Sequence, residues 1–236
     1  MRDQVISTLI FTALLLFPGC AKNLMMEKDD IKFTYLALGD SYTIGESVDA
    51  SQRYPVLLTD SLRKAGYPMD DPVIVARTGW TTDELAAGIR TADLSTPYSL
   101  VSLLVGVNNQ YRGRDVENYR IEFRSLLEQA ITFAGGQAEH VFVLSIPDWG
   151  VTPFAASRDR EQIAGEIDQY NAVNREETRT RGVLYIDITP ISRQTAEDPA
   201  LIADDGLHPS GRMYAACVEL ALPEIKTILN RIRQPK

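Results

Sequence analysis

The chain has 236 residues, of which 44% are hydrophobic and 24% charged, with 15 glycines and 12 prolines. This balance excludes collagen-like, low-complexity and disordered chains, and the length fits one large α/β domain or two small ones. Acidic residues outnumber basic ones by 32 to 24, which gives a net charge of −8. Because a chain of that sign gains nothing from counterion release on a phosphate backbone, nucleic acid is not an expected partner. The two cysteines, Cys20 and Cys217, are too few for a disulfide scaffold.

The N-terminal segment has the features of an export signal. An apolar run over residues 5–17 follows Arg2, and it is too short to span a bilayer comfortably. Gly19 directly before Cys20 resembles the end of a bacterial lipoprotein signal, in which the cysteine is lipidated and becomes the new N-terminus. The polar residues 21–30 that follow fit a tether between an anchor and a domain.

These features predict three segments: a signal peptide with a lipidation cysteine over residues 1–20, a tether over 21–30 and one domain over 31–236. The protein is then expected to be exported and anchored to a membrane through a lipid on Cys20. An ordinary cleaved signal, which would give a secreted or periplasmic protein, and an uncleaved N-terminal anchor are the alternatives. No other apolar run approaches the length of about 18 residues that a membrane span needs.

Five short apolar runs in the remaining sequence are typical of strands. Near-continuous apolar character is expected where both faces of a parallel sheet are covered. The runs are FTYLAL from Phe33, VIVA from Val73, SLVSLLV from Ser99, VFVLSI from Val141 and VLYIDI from Val183.

Helical patterns separate these runs. Pro55 fits the first turn of a helix that runs to Lys64, and Thr81 with Glu84 has the spacing of a capping box. In three further segments, apolar residues recur on one face of a helix. These segments are residues 116–131, 163–173 and 214–232.

The alternation of strand and helix predicts a single α/β domain. Right-handed crossovers between parallel strands would place helices on both faces of the sheet, in a three-layer α/β/α sandwich of about five parallel strands. In such sheets, ligands bind beyond the carboxyl ends of the strands, so the residues that follow each strand are the candidates for function.

Three strand ends carry groups suited to catalysis. Ser41 follows the first strand in a Gly-Asp-Ser turn, where a serine is either an exposed nucleophile or a helix N-cap. Gly79 follows the second strand, where its backbone N–H could face an anion or simply form a tight turn. Asn108 follows the third strand, and its amide could stabilise an oxyanion or serve as a turn residue.

Of the two histidines in the chain, one lies at the expected site. His140 precedes a strand, and we interpret it as a surface residue at the opposite edge of the sheet. His208 follows Asp205 by three residues, a spacing at which one loop can present both, so that the carboxylate fixes the imidazole tautomer. A metal site at Asp204, Asp205 and His208 is the alternative, although the sequence supplies no further histidine or cysteine ligand beside them.

In this order along the chain, these residues resemble the SGNH hydrolases, also called GDSL esterases and lipases. The similarity depends on GDSY around Ser41, on Gly79, on GVNN around Asn108 and on DGLHP around His208, and it extends over about residues 33–235. The resemblance implies a flavodoxin-like fold and the hydrolysis of carboxylic esters, with no metal or organic cofactor.

The resemblance also implies a role for each residue. Ser41 is the nucleophile that forms an acyl-enzyme, His208 is the general base, and Asp205 orients His208. The oxyanion hole comprises the backbone N–H groups of Ser41 and Gly79 and the side-chain amide of Asn108. The implied substrate is a small-molecule, lipid or glycan ester.

Two positions depart from the family pattern. Asn109 stands where Asp is usual, and Tyr42 stands where Leu often follows the serine, but neither removes a catalytic group. Side chains beyond the strand ends are also candidates for binding the substrate, although packing within their own loops is the alternative. These candidates are Trp80, Asn109, Tyr111 and Trp149.

Two other functions compete with ester hydrolysis. A non-catalytic surface lipoprotein could use the same pocket to bind a glycan or a lipid, but binding alone has no chemical need for Ser41, Asn108, Asp205 and His208 together. An acyltransferase would use the same residues and pass the acyl group to a sugar instead of water.

Overall fold

Five parallel strands form the centre of the domain. The computed structural model describes residues 32–234. The strands are β1 Tyr35–Gly39, β2 Val73–Ala76, β3 Leu100–Leu104, β4 Val141–Leu144 and β5 Leu184–Ile186. Their order across the sheet is β2-β1-β3-β4-β5, and every neighbouring pair is parallel. Four strands lie within the predicted apolar runs and β1 extends one residue beyond its run, to Gly39, so the predicted five-stranded parallel sheet is confirmed.

Helices connect the strands, and some begin at the residues that the sequence indicates. Pro55 lies in the first turn of the helix that ends at Lys64, and Thr81 and Glu84 form the expected capping box. The helices within the described residues are α1 Ser41–Ile44, α2 Tyr54–Lys64, α3 Thr82–Thr91, α4 Val107–Tyr111, α5 Val116–Phe133, α6 Arg160–Thr180, α7 Thr189–Arg193 and α8 Gly211–Arg233.

The helices form two layers around the sheet. Helix α2 packs against α8, whereas α5 packs against both α3 and α6. Right-handed crossovers place these two groups on opposite faces, because the chain moves from β1 to β2 in one direction and from β2 onward in the other. Every residue of β1, β3 and β4 is buried. This three-layer arrangement confirms the predicted α/β/α sandwich.

Helix α8 closes one face of the domain. It is capped by Ser210, whose hydroxyl accepts a hydrogen bond from the N–H of Met213, and it continues through Pro223. Cys217 lies on its inner side, and burial raises the pKa of that thiol to about 12. Within residues 32–234, no helix has the length and apolar character to cross a membrane.

The sheet topology determines where a site can form. Strands β1 and β3 are neighbours, and their last residues, Gly39 and Leu104, are paired. The chain leaves β1 toward β2 on one side and leaves β3 toward β4 on the other, so this is the point where the strand order reverses. A crevice is expected there, between the segments that follow the two strands.

Candidate active site

The turn after β1 presents Ser41 at the start of α1. Gly39 allows this turn, because a Cβ there would lie 2.1 Å from the Thr43 hydroxyl and 2.4 Å from the Leu104 carbonyl oxygen. The helix cap is Asp40, whose carboxylate accepts a hydrogen bond from the Tyr42 N–H at 3.1 Å. Ser41 is therefore not needed as the cap.

Asp40 lies between the two sides of the crevice. The Asp40 side chain is buried and accepts a hydrogen bond from the Tyr42 N–H in the turn after β1, and the backbone N–H of Gly106 in the turn after β3 also acts to lower its pKa. Burial raises the pKa of Asp40 to about 7, against the opposing effect of these hydrogen bonds. The carboxyl thus lies next to both the Ser41 turn and the turn that leads to Asn108.

The loop before α8 carries the histidine and its carboxylate partner. The Nδ1 of His208 lies 2.5 Å from Asp205 Oδ2, and Asp205 Oδ1 accepts the N–H groups of Leu207 and His208, both at 2.9 Å. Ser47 Oγ donates a further hydrogen bond to Oδ2 at 2.7 Å. Partial burial acts to raise the pKa of Asp205, but these hydrogen bonds outweigh it and hold the pKa well below its usual range. Asp205 is therefore a stable anion beside the imidazole.

Asn108 reaches the site because the chain turns sharply after β3. Gly106 has φ +133°, and a Cβ there would lie 2.6 Å from the Tyr119 hydroxyl, so glycine is required. Helix α4 begins directly afterwards. One N–H of the Asn108 amide donates to the Trp80 carbonyl at 2.9 Å, which leaves the second N–H for another acceptor.

Gly79 lies in the loop between β2 and α3, and two contacts hold this loop. Arg112 donates to the Gly79 carbonyl at 2.7 Å, and the Thr78 hydroxyl donates to the carboxylate of Glu46, in the turn after α1. The backbone at Gly79 has φ +84°, which favours glycine. These contacts bring the Gly79 loop next to the Ser41 helix, although Gly79 itself does not line the cavity described below.

A cavity of about 160 Å³ lies at this edge of the sheet and brings three of the predicted residues together. Ser41, Asn108 and His208 all line it, and aromatic and aliphatic side chains complete the wall. The remaining lining residues are Tyr42, Val107, Tyr111, Trp149, Phe154 and Leu207.

Three aromatic rings form one side of this cavity. The centroid of the Tyr111 ring lies 5.4 Å from that of Trp149 and 6.3 Å from that of Phe154, and Trp149 and Phe154 are 5.9 Å apart. Trp149 is buried, and its indole N–H donates to Gln110 at 2.8 Å. Tyr111 and Phe154 remain about half exposed. The structure thus places Tyr111 and Trp149 where a substrate could contact them.

Asn109 and Trp80, both predicted to bind substrate, do not line this cavity. Asn109 is fully buried, and its amide exchanges two hydrogen bonds with Thr82, at 2.6 Å and 3.1 Å. The Trp80 indole packs over Gly88 of α3 instead of facing the cavity. Asn109 thus joins helix α4 to the start of α3, and Trp80 packs on α3, so both residues stabilise the segments next to the cavity.

The second histidine and the proposed metal ligands are also located. His140 is half-buried and precedes β4, at the edge of the sheet opposite the cavity. Within residues 32–234, no group of three or more His, Cys, Asp or Glu side chains has an arrangement that could hold a metal ion. The alternative of a metal site at Asp204, Asp205 and His208 therefore has no geometric support. Cys20 and the predicted segments 1–20 and 21–30 lie outside the described residues.

Several residues of the site carried no recognisable signal in the sequence. Ser47 contacts Asp205 across 158 positions, and Arg112 holds the Gly79 loop by a contact across 33 positions. Such contacts depend on how loops meet in space, which periodicity does not report. Tyr42 follows Ser41 directly, and its ring lies 5.6 Å from the His208 ring, so adjacency was the available clue.

Comparison with known proteins identifies solved structures of similar fold. The fold resembles the crystal structure of TesA, with a TM-score of 0.66 and 19% identity over 83% of this chain and 99% of that one. It also resembles a lipase/acylhydrolase from Enterococcus faecalis, with a TM-score of 0.63 and 22% identity over 83% and 96% of the two chains. A third similar structure is the acetylxylan esterase Axe2 from Geobacillus stearothermophilus, with a TM-score of 0.64 and 19% identity over 82% and 94%.

At these identities, the structural matches establish the fold, and the family follows from the sequence. No curated protein matches the chain by sequence. The model of the GDSL-like lipase/acylhydrolase family, however, matches residues 37–216, a range that includes Ser41, Asn108, Asp205 and His208. The chain therefore belongs to the GDSL-like lipase/acylhydrolase family and is a carboxylic ester hydrolase.

Proposed function

We propose that the chain hydrolyses carboxylic esters through an acyl-enzyme on Ser41, with His208 as general base and Asp205 as the group that orients it. One observation carries the proposal: Ser41, Asn108 and His208 line a single cavity, while His208 Nδ1 is bonded to Asp205. A carboxylate on Nδ1 favours the tautomer whose Nε2 can accept a proton.

The chemistry follows from these positions. A serine hydroxyl is a weak nucleophile until a base takes its proton, so His208 accepts the Ser41 proton as Oγ attacks the acyl carbon. The second amide N–H of Asn108 stabilises the charge on the carbonyl oxygen, together with the N–H groups of Ser41 and Gly79. His208 then protonates the leaving alcohol, and water activated by His208 releases the acyl group.

The size of the cavity favours a short acyl group. Pockets for drug-sized ligands usually enclose about 300–1,000 Å³, whereas this one encloses about 160 Å³. The three aromatic rings of Tyr111, Trp149 and Phe154 limit it on one side. An acetyl or similarly small acyl group fits this volume, and a long lipid chain would have to leave it.

A polar recess next to the cavity supports a hydrophilic ester as substrate. This recess has a volume of about 510 Å³ and shares Tyr111 and Trp149 with the cavity. Its other walls include Gln110, Gln162 and Glu166, which carry hydrogen-bonding groups suited to hydroxyls. An acetylated sugar combines a small acyl group with such hydroxyls, and the similar Axe2 is described as an acetylxylan esterase.

Ester cleavage by point variants of the purified protein tests this proposal. We expect p-nitrophenyl acetate and glucose penta-acetate to be cleaved and p-nitrophenyl palmitate to be a poor substrate. Ser41→Ala and His208→Ala should each lower kcat by about 10³-fold or more, and Asn108→Ala by about 10²–10³-fold. His140→Ala is the matched control, because it removes the other histidine at the far edge of the sheet, and it should keep the wild-type rate.

Two outcomes would contradict the proposal. Equal turnover by the wild type and Ser41→Ala would remove Ser41 as the nucleophile. If the wild type cleaves no ester and a fluorophosphonate probe does not label Ser41, the non-catalytic binding protein becomes the better interpretation. Transfer of the acetyl group to a free sugar instead of water, seen in the products, would favour the acyltransferase.

We also propose that the protein is exported and anchored to a membrane by a lipid on Cys20. The support is the sequence alone, namely the apolar run over residues 5–17 and the Gly19–Cys20 pair. In bacterial cells, the wild type should incorporate labelled palmitate and remain with the membrane fraction. Cys20→Ser should lose both properties, and a palmitate-labelled Cys20→Ser variant would contradict the anchor.

A further inference from the structure

The turn that follows the Ser41 helix contacts the carboxylate beside His208. Ser47 Oγ donates to Asp205 Oδ2 at 2.7 Å, and the same oxygen lies 2.5 Å from His208 Nδ1. The other two hydrogen bonds to Asp205 come from backbone N–H groups of its own loop and end on Oδ1. Within residues 32–234, Ser47 is thus the one donor to Asp205 from another part of the fold.

The backbone at Ser47 is also unusual. It has φ +64°, and no other residue except glycine has a positive φ within the described part of the chain. A glycine would adopt this conformation without strain, yet the position holds a serine whose hydroxyl makes the contact. The turn is held on its N-terminal side by Glu46, whose N–H donates to the Ser41 carbonyl at 3.1 Å and whose carboxylate accepts from Thr78.

We propose that Ser47 is a positioning residue for ester hydrolysis, which holds the Asp205 carboxylate in place and sets how strongly that carboxylate attracts the protonated His208. The inference rests on the proposed roles of Asp205 and His208. A hydrogen bond to Oδ2 draws off part of the negative charge that faces Nδ1. The imidazolium is then less stabilised, so His208 gives its proton to the leaving alcohol more readily.

The surroundings of His208 make this effect measurable. The His208 ring is bonded to Asp205, from the same loop, and its centroid lies 5.6 Å from that of the Tyr42 ring, from α1. Burial, with smaller effects of Asp40, Asp148 and Asp205, raises the pKa of the Tyr42 phenol far above its usual value. Tyr42 therefore stays neutral, and Asp205 is the charged group that is bonded to the imidazole.

The test follows the two histidines by NMR as a function of pH, in the full chain and in Ser47→Gly and Ser47→Ala. Both variants remove the hydroxyl, whereas only Ser47→Gly also removes the strain. We expect the His208 imidazole to titrate at a higher pH in both variants than in the wild type, with His140 unchanged as the internal reference. In p-nitrophenyl acetate hydrolysis, the acid limb of kcat/KM should move by the same amount. Ser51→Ala, an exposed serine nearby, is the matched control.

Different results would overturn the positioning role of Ser47 and the role of Ser41 as nucleophile. If the His208 titration is unmoved or falls in Ser47→Gly, the positioning role is overturned, even when stability changes. The NMR readout does not depend on turnover, so it decides the role of Ser47 whether or not the chosen ester is cleaved. Full activity of Ser41→Ala would instead overturn the proposed function while leaving the Ser47 result to stand.

Discussion

At the residue scale, the structure explains why Asn replaces the usual Asp at position 109. The single proton of the Thr82 hydroxyl goes to the carboxylate of Glu122, so the hydroxyl oxygen can only accept from its other neighbour. Asn109 supplies that donor through Nδ2, 2.6 Å away, and its Oδ1 accepts the Thr82 N–H. A carboxylate at this buried position would have no proton to offer and would lie close to that of Glu122.

Asn109→Asp should therefore destabilise the domain at pH 7. We expect the free energy of unfolding to fall by about 3 kcal/mol, because a hydrogen bond is lost and a buried carboxylate is left poorly paired. Adding Glu122→Gln should recover part of this loss, since Gln can donate to Thr82 and free the hydroxyl proton for the introduced carboxylate. Urea unfolding of the two single variants and the double variant measures the coupling. Wild-type stability of Asn109→Asp would refute this explanation.

Individual residues also show how much of the site could be predicted from the sequence. The motif residues Ser41, Asn108 and His208 converge on one cavity because each follows a strand or precedes the last helix, and chain order alone indicates this. The two interpretations of Ser41 were separated only by the structure, in which Asp40 is the cap. Asn109 was misplaced because sequence does not tell which of two adjacent amides faces a crevice.

At the element scale, the longer helices could be predicted and the shortest could not. Helices α2 and α3 begin where Pro55 and the Thr81 capping box indicate, because local chemistry determines those ends. Helices α1, α4 and α7 have four or five residues. A helix of that length completes little more than one turn, so no periodicity can reveal it. Two of them carry Ser41 and Asn108, so the site lies where prediction is weakest.

Two glycines in helices should respond oppositely to alanine. A Cβ at the exposed Gly165 in α6 meets no atom within 4 Å, so Gly165→Ala should raise the free energy of unfolding by about 0.5–1 kcal/mol. A Cβ at Gly88 in α3 would lie 2.2 Å from the Trp80 ring. Gly88→Ala should therefore lower the free energy of unfolding by about 1–3 kcal/mol.

Gly88→Ala should also reduce esterase activity, because displacing Trp80 moves the carbonyl that holds Asn108. Gly165→Ala is the matched control and should keep wild-type kcat, since the added methyl group at this exposed position meets no other atom within 4 Å. Urea unfolding and p-nitrophenyl acetate hydrolysis measure the two effects. If Gly88→Ala instead raised the free energy of unfolding, the Trp80 ring would have moved without cost, and its packing against α3 would contribute little to stability.

At the scale of the whole molecule, two buried carboxyl groups, Glu177 and Asp40, have pKa values shifted in opposite directions, so they affect the stability of the domain at different pH. Hydrogen bonds from Arg124 and Arg120, with Arg181 nearby, outweigh burial and lower the pKa of Glu177 to about 2. Its stabilising effect is present above the unfolded pKa and is lost as the pH falls toward 2. Burial raises the pKa of Asp40 to about 7. The contribution of Asp40 to the free energy of unfolding is fully present below its unfolded pKa of 3.8 and is lost as the pH rises through 7.

The free energy of unfolding should therefore be greatest near about pH 4–5 and decline toward pH 8, where the net charge of −8 adds self-repulsion. Asp40→Asn keeps a cap acceptor but has no proton to lose. Its stability relative to the wild type should rise between about pH 4 and 7 and then level off. Urea unfolding at intervals from pH 3 to 9 measures both curves. A wild-type stability that increases from pH 5 to 8 would contradict the prediction.

Cys217, the single cysteine of the described residues, can report how often helix α8 opens. The Cys217 thiol is enclosed beneath α8, and its high pKa suppresses the thiolate that reacts with disulfide reagents. Modification thus has to wait until α8 lifts from α2, and its rate at saturating reagent equals the frequency of that opening. One unengineered sulfur atom reports how long the C-terminal helix stays closed, without any fluorophore or isotope.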